Sequence, residues 1–134
     1  LKIAIFTIFF IFFLQADNSI DIVYQDDYKV AQKEAKKEKK YLFVLVTAKG
    51  CGWCKKLKHT TLQDINIIEN LAKDYVAVEL DIDSSYYPKS IHITGVPSVI
   101  IVDPKSGEII KNIVGFREDS NDYLKWFRYV DNLN

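Results

Sequence analysis

A chain of 134 residues that is 49% hydrophobic and 27% charged is too short for two ordinary domains and too apolar to stay disordered, so one compact globular domain is expected. Eighteen Lys and Arg stand against eighteen Asp and Glu, a formal net charge of zero, which supplies no long-range field for capturing nucleic acid or an anionic membrane. Only two cysteines occur, Cys51 and Cys54; this excludes a disulfide-scaffolded miniprotein and confines thiol chemistry to one short stretch.

Lys2 precedes an apolar run from Ile3 to Leu14, with Thr7 its only polar member, before Gln15-Ala16-Asp17 turns polar. That pattern predicts a secretory signal peptide over residues 1–16 and a domain over 17–134. Twelve residues rise only about 18 Å as a helix, short of a hydrocarbon core of roughly 30 Å, so an uncleaved anchor is the weaker alternative. Ala16 suits the residue before a cut, Leu14 is bulkier than such sites prefer, and no Cys stands there to take a lipid. No Met occurs, even at position 1, as expected of a non-standard initiation codon or a truncated start. Loss of residues 1–16 removes Lys2 and leaves the mature chain near neutral.

Asp17 to Gln25 reads as a polar lead-in. Asp26 to Lys40 predicts a helix, acidic at its start and rich in Lys later, with a thin apolar stripe of Tyr28, Ala31 and Ala35. The run Lys36-Lys37-Glu38-Lys39-Lys40 reads as a solvated helix end. Tyr41 to Thr47 is continuously β-branched, aliphatic or aromatic, the signature of a central strand buried on both faces. A helical segment from Gly52 to about Leu57 follows, then another from Asp64 to Lys73 carried by Ile65, Ile68, Leu71 and Ala72. Tyr75 to Ile82 alternates enough to read as a second strand, broken by Asp83-Ser84-Ser85, which completes a β-α-β unit. Ser98 to Val102 and Glu108 to Val114, joined by Asp103-Pro104-Lys105-Ser106-Gly107, predict an antiparallel hairpin. Ser120 to Leu133 places Tyr123, Leu124, Phe127 and Val130 on one side of a last helix, capped by Ser120 or Asp119.

Cys51-Gly52-Trp53-Cys54 stands at the predicted strand-to-helix junction, where two intervening residues in a first helical turn bring the sulfurs close enough to close and reopen a disulfide. A thiol at a helix N-terminus is favoured as thiolate, and such Cys-x-x-Cys thiols titrate at roughly 3.5 to 7 instead of about 8.5. Cys51 is therefore the expected nucleophile. Cys54, one turn deeper, is expected to resolve the mixed disulfide formed at Cys51. Lys55, Lys56 and Lys58 read as a solvated helix face.

With these residues in view, the chain resembles the thioredoxin-like family over most of Asp26 to Leu133. The resemblance rests on the strand leading into Cys51-Gly52-Trp53-Cys54-Lys55, the β-α-β unit after it, and Gly95-Val96-Pro97-Ser98 before the hairpin. It looks most like the exported bacterial thioredoxin-related interchange proteins. It implies an α/β fold: a central mixed sheet of four to five strands flanked by helices, with an N-terminal helical extension. It further implies that Pro97 is cis beside the cysteine pair and that the Val96 backbone binds an extended substrate segment by β-augmentation. Trp53 is expected in an apolar docking surface, with an ordinary half-buried Trp as the plain alternative.

The departures from the family pattern bear on direction. Cytosolic thioredoxins carry Trp before the first Cys and Gly-Pro between the two, whereas Gly50 and Gly52-Trp53 stand here. The family's buried Asp falls on Leu45, and Glu79 aligns near its buried Lys. Glu79 is thus either a substitute proton relay or a solvent-facing strand carboxylate.

Three further readings compete. Zinc could draw on Cys51, Cys54, His59 and His92, but a Cys-x-x-Cys knuckle normally pairs with a second closely spaced ligand pair, which these histidines are not. His59 reads as a surface helix residue and His92, between Ile91 and Ile93, as a partly buried one. A c-type haem needs His directly after the second Cys, where Lys55 stands. A non-catalytic partner-binding module with a stapling disulfide is allowed by the fold alone. The favoured expectation is a periplasmic or secreted thiol:disulfide reductase or interchange enzyme, monomeric and without organic cofactor or metal. Its partners would be protein disulfides or thiols and a membrane-bound redox protein, with no role for nucleic acid.

Overall fold

A computed structural model of the chain describes residues 20–133; the leader expected over residues 1–16 lies outside the described residues. In chain order the elements are β1 (Tyr24–Gln25), α1 (Tyr28–Glu38), β2 (Tyr41–Thr47), α2 (Gly52–His59), a 3₁₀ turn (Thr61–Gln63), α3 (Ile65–Asp74), β3 (Tyr75–Asp81), β4 (Ser98–Val102), β5 (Ile109–Val114) and α4 (Asn121–Asp131). They form one mixed sheet in the order β1-β3-β2-β4-β5. β2 pairs in parallel with β3 along its whole length, and antiparallel with β4, which pairs antiparallel with β5.

Strand periodicity sorts the core into two layers. Leu42, Val44 and Val46 of β2 point to one face, where they meet Tyr28, Ala31 and Ala35 of α1. Phe43 and Leu45 point to the other and meet Leu57 of α2, Ile67 and Leu71 of α3, and Tyr123, Phe127 and Val130 of α4. With helices on both faces, β2 has no solvent side, which is why its sequence is uninterruptedly apolar.

The caps explain where the helices begin and end. Asp27 Oδ1 accepts from the N–H groups of Lys29 (2.8 Å) and Val30 (3.0 Å), and Asp64 Oδ1 accepts from Asn66 N–H at 2.8 Å, each satisfying donors of an open first turn. Ser120 occupies the N-cap of α4 without a capping bond; Asp119 Oδ1 takes the Asn121 N–H at 2.9 Å instead. α1 ends as Lys39 turns left-handed (φ 56°) and Lys40 N–H reaches Ala35 O at 2.9 Å, a Schellman closure.

The structure corrects four readings of the sequence. The lead-in to Gln25 contains a strand, β1, which pairs in parallel with β3 through Tyr24 and Gln25. In α3 the inward stripe is Ile67, Ile68 and Leu71, whereas Ile65 is 50% exposed and Ala72 is exposed. Three isoleucines within four residues admit two stripes, and the Asp64 cap starts the helix in the phase that turns Ile65 outward. β3 is buried on both faces up to Val78 and does not alternate, since α1 and α3 cover it. His92 is exposed, because the extended loop that points Ile91 into the core turns its neighbour outward.

The buried phenols of Tyr24, Tyr75 and Tyr123 have no hydrogen-bond partner among the described residues, and burial raises the pKa of all three, that of Tyr123 to about 12. An unfolded tyrosine ionises near 10. Below about pH 10 both states are neutral and stability is full; above it the unfolded chain releases protons first, so stability falls as pH rises toward about 12. Urea unfolding midpoints should therefore drop between about pH 10 and 12, with a delayed fraction in the phenolate absorbance of the native protein.

Candidate active site

The C-terminal end of β2 sets the site. Beyond Thr47 the chain turns through Gly50, at φ 71°, and Cys51 caps α2. Cys51 and Cys54 are joined by a disulfide with their Cα atoms 5.3 Å apart. The Cys54 N–H points at Cys51 Sγ, 3.1 Å away. Cys51 sulfur thus occupies the place of a capping acceptor, where an open N–H and the helix dipole favour negative charge on it. Cys54 is buried and Cys51 half-buried, so the outer sulfur meets a partner first.

Register brings Pro97 to the same end of the sheet. Ser98 pairs with Val46 of β2 and with Val114 of β5, and the Gly115 N–H donates to the Pro97 carbonyl at 2.7 Å. The Val96–Pro97 bond is cis, as the resemblance implied. Ser98 Oγ donates to Gly95 O at 2.6 Å, and a Cβ at position 95 would come within 3.3 Å of Val114 Cγ1, so glycine suits this close approach.

Beneath the disulfide lies a cavity of about 320 Å³ lined by Thr47, Cys51, Cys54, Lys58, His59 and Glu79 among others. Periodicity accounts for this gathering. Cys54 and Lys58 are four residues apart on α2 and share a helix face, while Thr47 and Glu79 continue the strand faces of Leu45 and Ala77 toward α2. The Lys58 ammonium donates to Glu79 Oε2 at 2.5 Å, with the side chains 33% and 28% exposed. Thr47 Oγ1 donates to Glu79 Oε1 at 3.4 Å, and the Tyr24 ring lies 5.5 Å from the ammonium. Leu45, fully buried, is the register partner of Glu79. A carboxylate thus stands directly across from position 45 on the neighbouring strand.

Lys55 and Lys56 of α2 are exposed, as expected of a solvated face, with Lys56 5.1 Å from the Trp53 ring and 4.9 Å from Phe116; Lys58 departs from it and is engaged with Glu79. Trp53 is 58% exposed, more open than a half-buried Trp, and tilts against Phe116 with centroids 5.3 Å apart. Phe116, directly after Gly115, carries no motif of its own, and only its place just past the second hairpin strand marks it in the sequence. His59 is exposed at the end of α2, its Nδ1–H donating to Lys55 O at 2.7 Å, whereas His92 belongs to the loop between β3 and β4.

A Cys-x-x-Cys disulfide on the first turn of the helix after the central strand defines a thiol:disulfide oxidoreductase. Over residues 28–131 the sequence matches the thioredoxin-like domain family, and the chain belongs to it. Among solved structures it is similar to a thioredoxin from Thermus thermophilus, at 20% identity over 81% of this chain and 87% of that one, TM-score 0.68. A DsbH oxidoreductase is similar at 18% identity over 90% and 94% of the two chains, TM-score 0.67. The C-terminal domain of DsbD from Neisseria meningitidis, in its oxidised form, is similar at 20% identity over 80% and 98%, TM-score 0.60. No curated protein matches the chain in sequence. At these identities the structures speak for the fold; the site speaks through its own residues.

Proposed function

We propose that this protein is an exported thiol:disulfide reductase or interchange enzyme acting on protein disulfides. The observation that carries the reading is the Cys51 sulfur held at the N-terminus of α2 by the Cys54 N–H, above a cavity that holds a polar ion pair. In the dithiol form the Cys51 thiolate attacks one sulfur of a substrate disulfide; the S–S bond breaks, and one substrate sulfur leaves as thiolate and takes up a proton. Cys54 then gives its proton through the cavity to Glu79 and attacks Cys51 Sγ. The mixed disulfide breaks, the second substrate sulfur departs with a proton, and two electrons have moved from the protein to its substrate. The cavity has room for the water such a relay needs, at about 30 Å³ per molecule.

Val96 and Pro97, at the end of the sheet where Cys51 emerges, offer backbone to an extended substrate segment, and Trp53 offers apolar surface. The sulfurs carry the electrons themselves, so the chemistry needs no organic cofactor. Export rests on the composition of residues 1–16; among the described residues no helix is long and apolar enough to cross a membrane. A monomer recharged by a membrane-bound dithiol partner completes the reading.

Equilibration against graded ratios of reduced and oxidised glutathione tests it. A potential near about −270 mV is expected for a reductant and one near about −180 mV for an interchange enzyme, 30 mV corresponding to about 1.4 kcal/mol. A pair that never cycles would leave only the stapled binding module.

A further inference from the structure

Phe116, which stacks on Trp53 beside the disulfide, borders a second cavity, of about 450 Å³, which the dithiol chemistry above does not use. Phe116 and Lys56 line it together with Asp64 and Glu118. The charges are sorted along it. From Ala48 to Gln63 the chain carries four Lys and no Asp or Glu, so the stretch holding the dithiol is wholly cationic in a protein whose net charge is zero. The first acid after it is Asp64, the cap of α3. Hydrogen bonds from Ser120 and from the Asn66 N–H hold the Asp64 carboxyl below the usual carboxylate range, so it is anionic at neutral pH. At the other end, the Lys56 ammonium lies near two rings, one of them Trp53 between the cysteines. Its aromatic neighbours hold it beside the dithiol, and neither of them neutralises it.

We propose that this groove selects substrates by charge. It takes an extended protein segment with an acidic residue next to the attacked cysteine, the carboxylate meeting Lys56 at the Trp53–Phe116 pair, and with a basic residue farther along toward Asp64 and Glu118. This rests on the oxidoreductase reading above and names its substrate class. Complementary charge at a partly exposed surface acts mainly on encounter and register and is screened by salt.

The test uses the full chain and two disulfide-linked reporter peptides, identical except for Asp or Lys beside the cysteine, with uncharged hydroxyethyl disulfide as reference. At low salt the Asp peptide is expected to be reduced about threefold to tenfold faster than the Lys peptide, and the gap should shrink toward unity near about 0.5 M salt. Lys56→Glu should reverse the order and Lys56→Gln should erase it. Lys37→Glu makes the same change of net charge on α1, across the sheet, and should leave the preference intact. Equal rates for the two peptides while the reference is reduced would overturn charge selection alone, as would a Lys37→Glu shift as large as that of Lys56→Glu. If no disulfide is reduced, the oxidoreductase reading falls and takes the substrate class with it.

Discussion

Replacing Cys51 by serine is expected to abolish disulfide exchange, a loss of at least roughly a thousandfold, because the one thiol left, Cys54, is buried and does not meet the substrate. Cys54→Ser should behave differently. Its Cys51 still sits at the helix N-terminus with an N–H aimed at the sulfur, so the first attack proceeds, and the product is a mixed disulfide with no internal thiol to release it. Mass spectrometry of each variant after incubation with a disulfide peptide separates the roles: the peptide adduct should accumulate on Cys54→Ser and be absent from Cys51→Ser. An adduct on Cys51→Ser alone would exchange the roles of the two sulfurs. Circular dichroism should show both variants folded, since each substitution replaces a sulfur by a smaller oxygen at a helix start.

The second large effect is expected at Glu79. The Cys54 thiol must lose its proton before it attacks, and Glu79 is the carboxylate that shares its cavity. Glu79→Gln keeps shape and hydrogen bonding but removes the proton acceptor, so release of a preformed mixed disulfide should slow by roughly tenfold to a hundredfold. The initial attack by Cys51 should change little, because its thiolate is favoured by the helix start. Rapid-quench kinetics of the two steps, followed across pH, would show this split. Glu79→Asp should recover part of the lost rate. Equal slowing of both steps, with no change in their pH profiles, would reduce Glu79 to a structural partner of Lys58.

Where local chemistry decides conformation, the sequence was readable. The apolar block of β2 and the Asp103–Gly107 turn between the hairpin strands each act within a few residues and stand where the pattern predicted, while the first helix, expected from Asp26, starts two residues later because Asp27 caps it. The cysteine pair was legible because its spacing is itself the chemistry. Position beside other elements was harder to see. β1 is two residues long and exists because β3 offers an edge more than fifty positions away, so nothing local announces it. The Lys58–Glu79 pair spans 21 residues and follows from combining two periodicities, four on α2 and two on β3, once the strands are known to be parallel neighbours. Taken alone, Lys58 looked like one more surface lysine. Phe116 gained its meaning from Trp53, which reaches it only through the return of β5 to the edge of the sheet.

The sheet also divides the molecule's evolutionary freedom. Everything argued to handle sulfur, protons or substrate stands on the α2 side or at the sheet's end, while α1 covers the opposite side with Tyr28, Ala31 and Ala35 turned inward and Lys29, Lys33, Lys36 and Lys37 exposed. Those lysines touch none of the redox groups. Isoelectric point and solubility can therefore drift through α1 as surroundings change, and the dithiol need not be retuned each time.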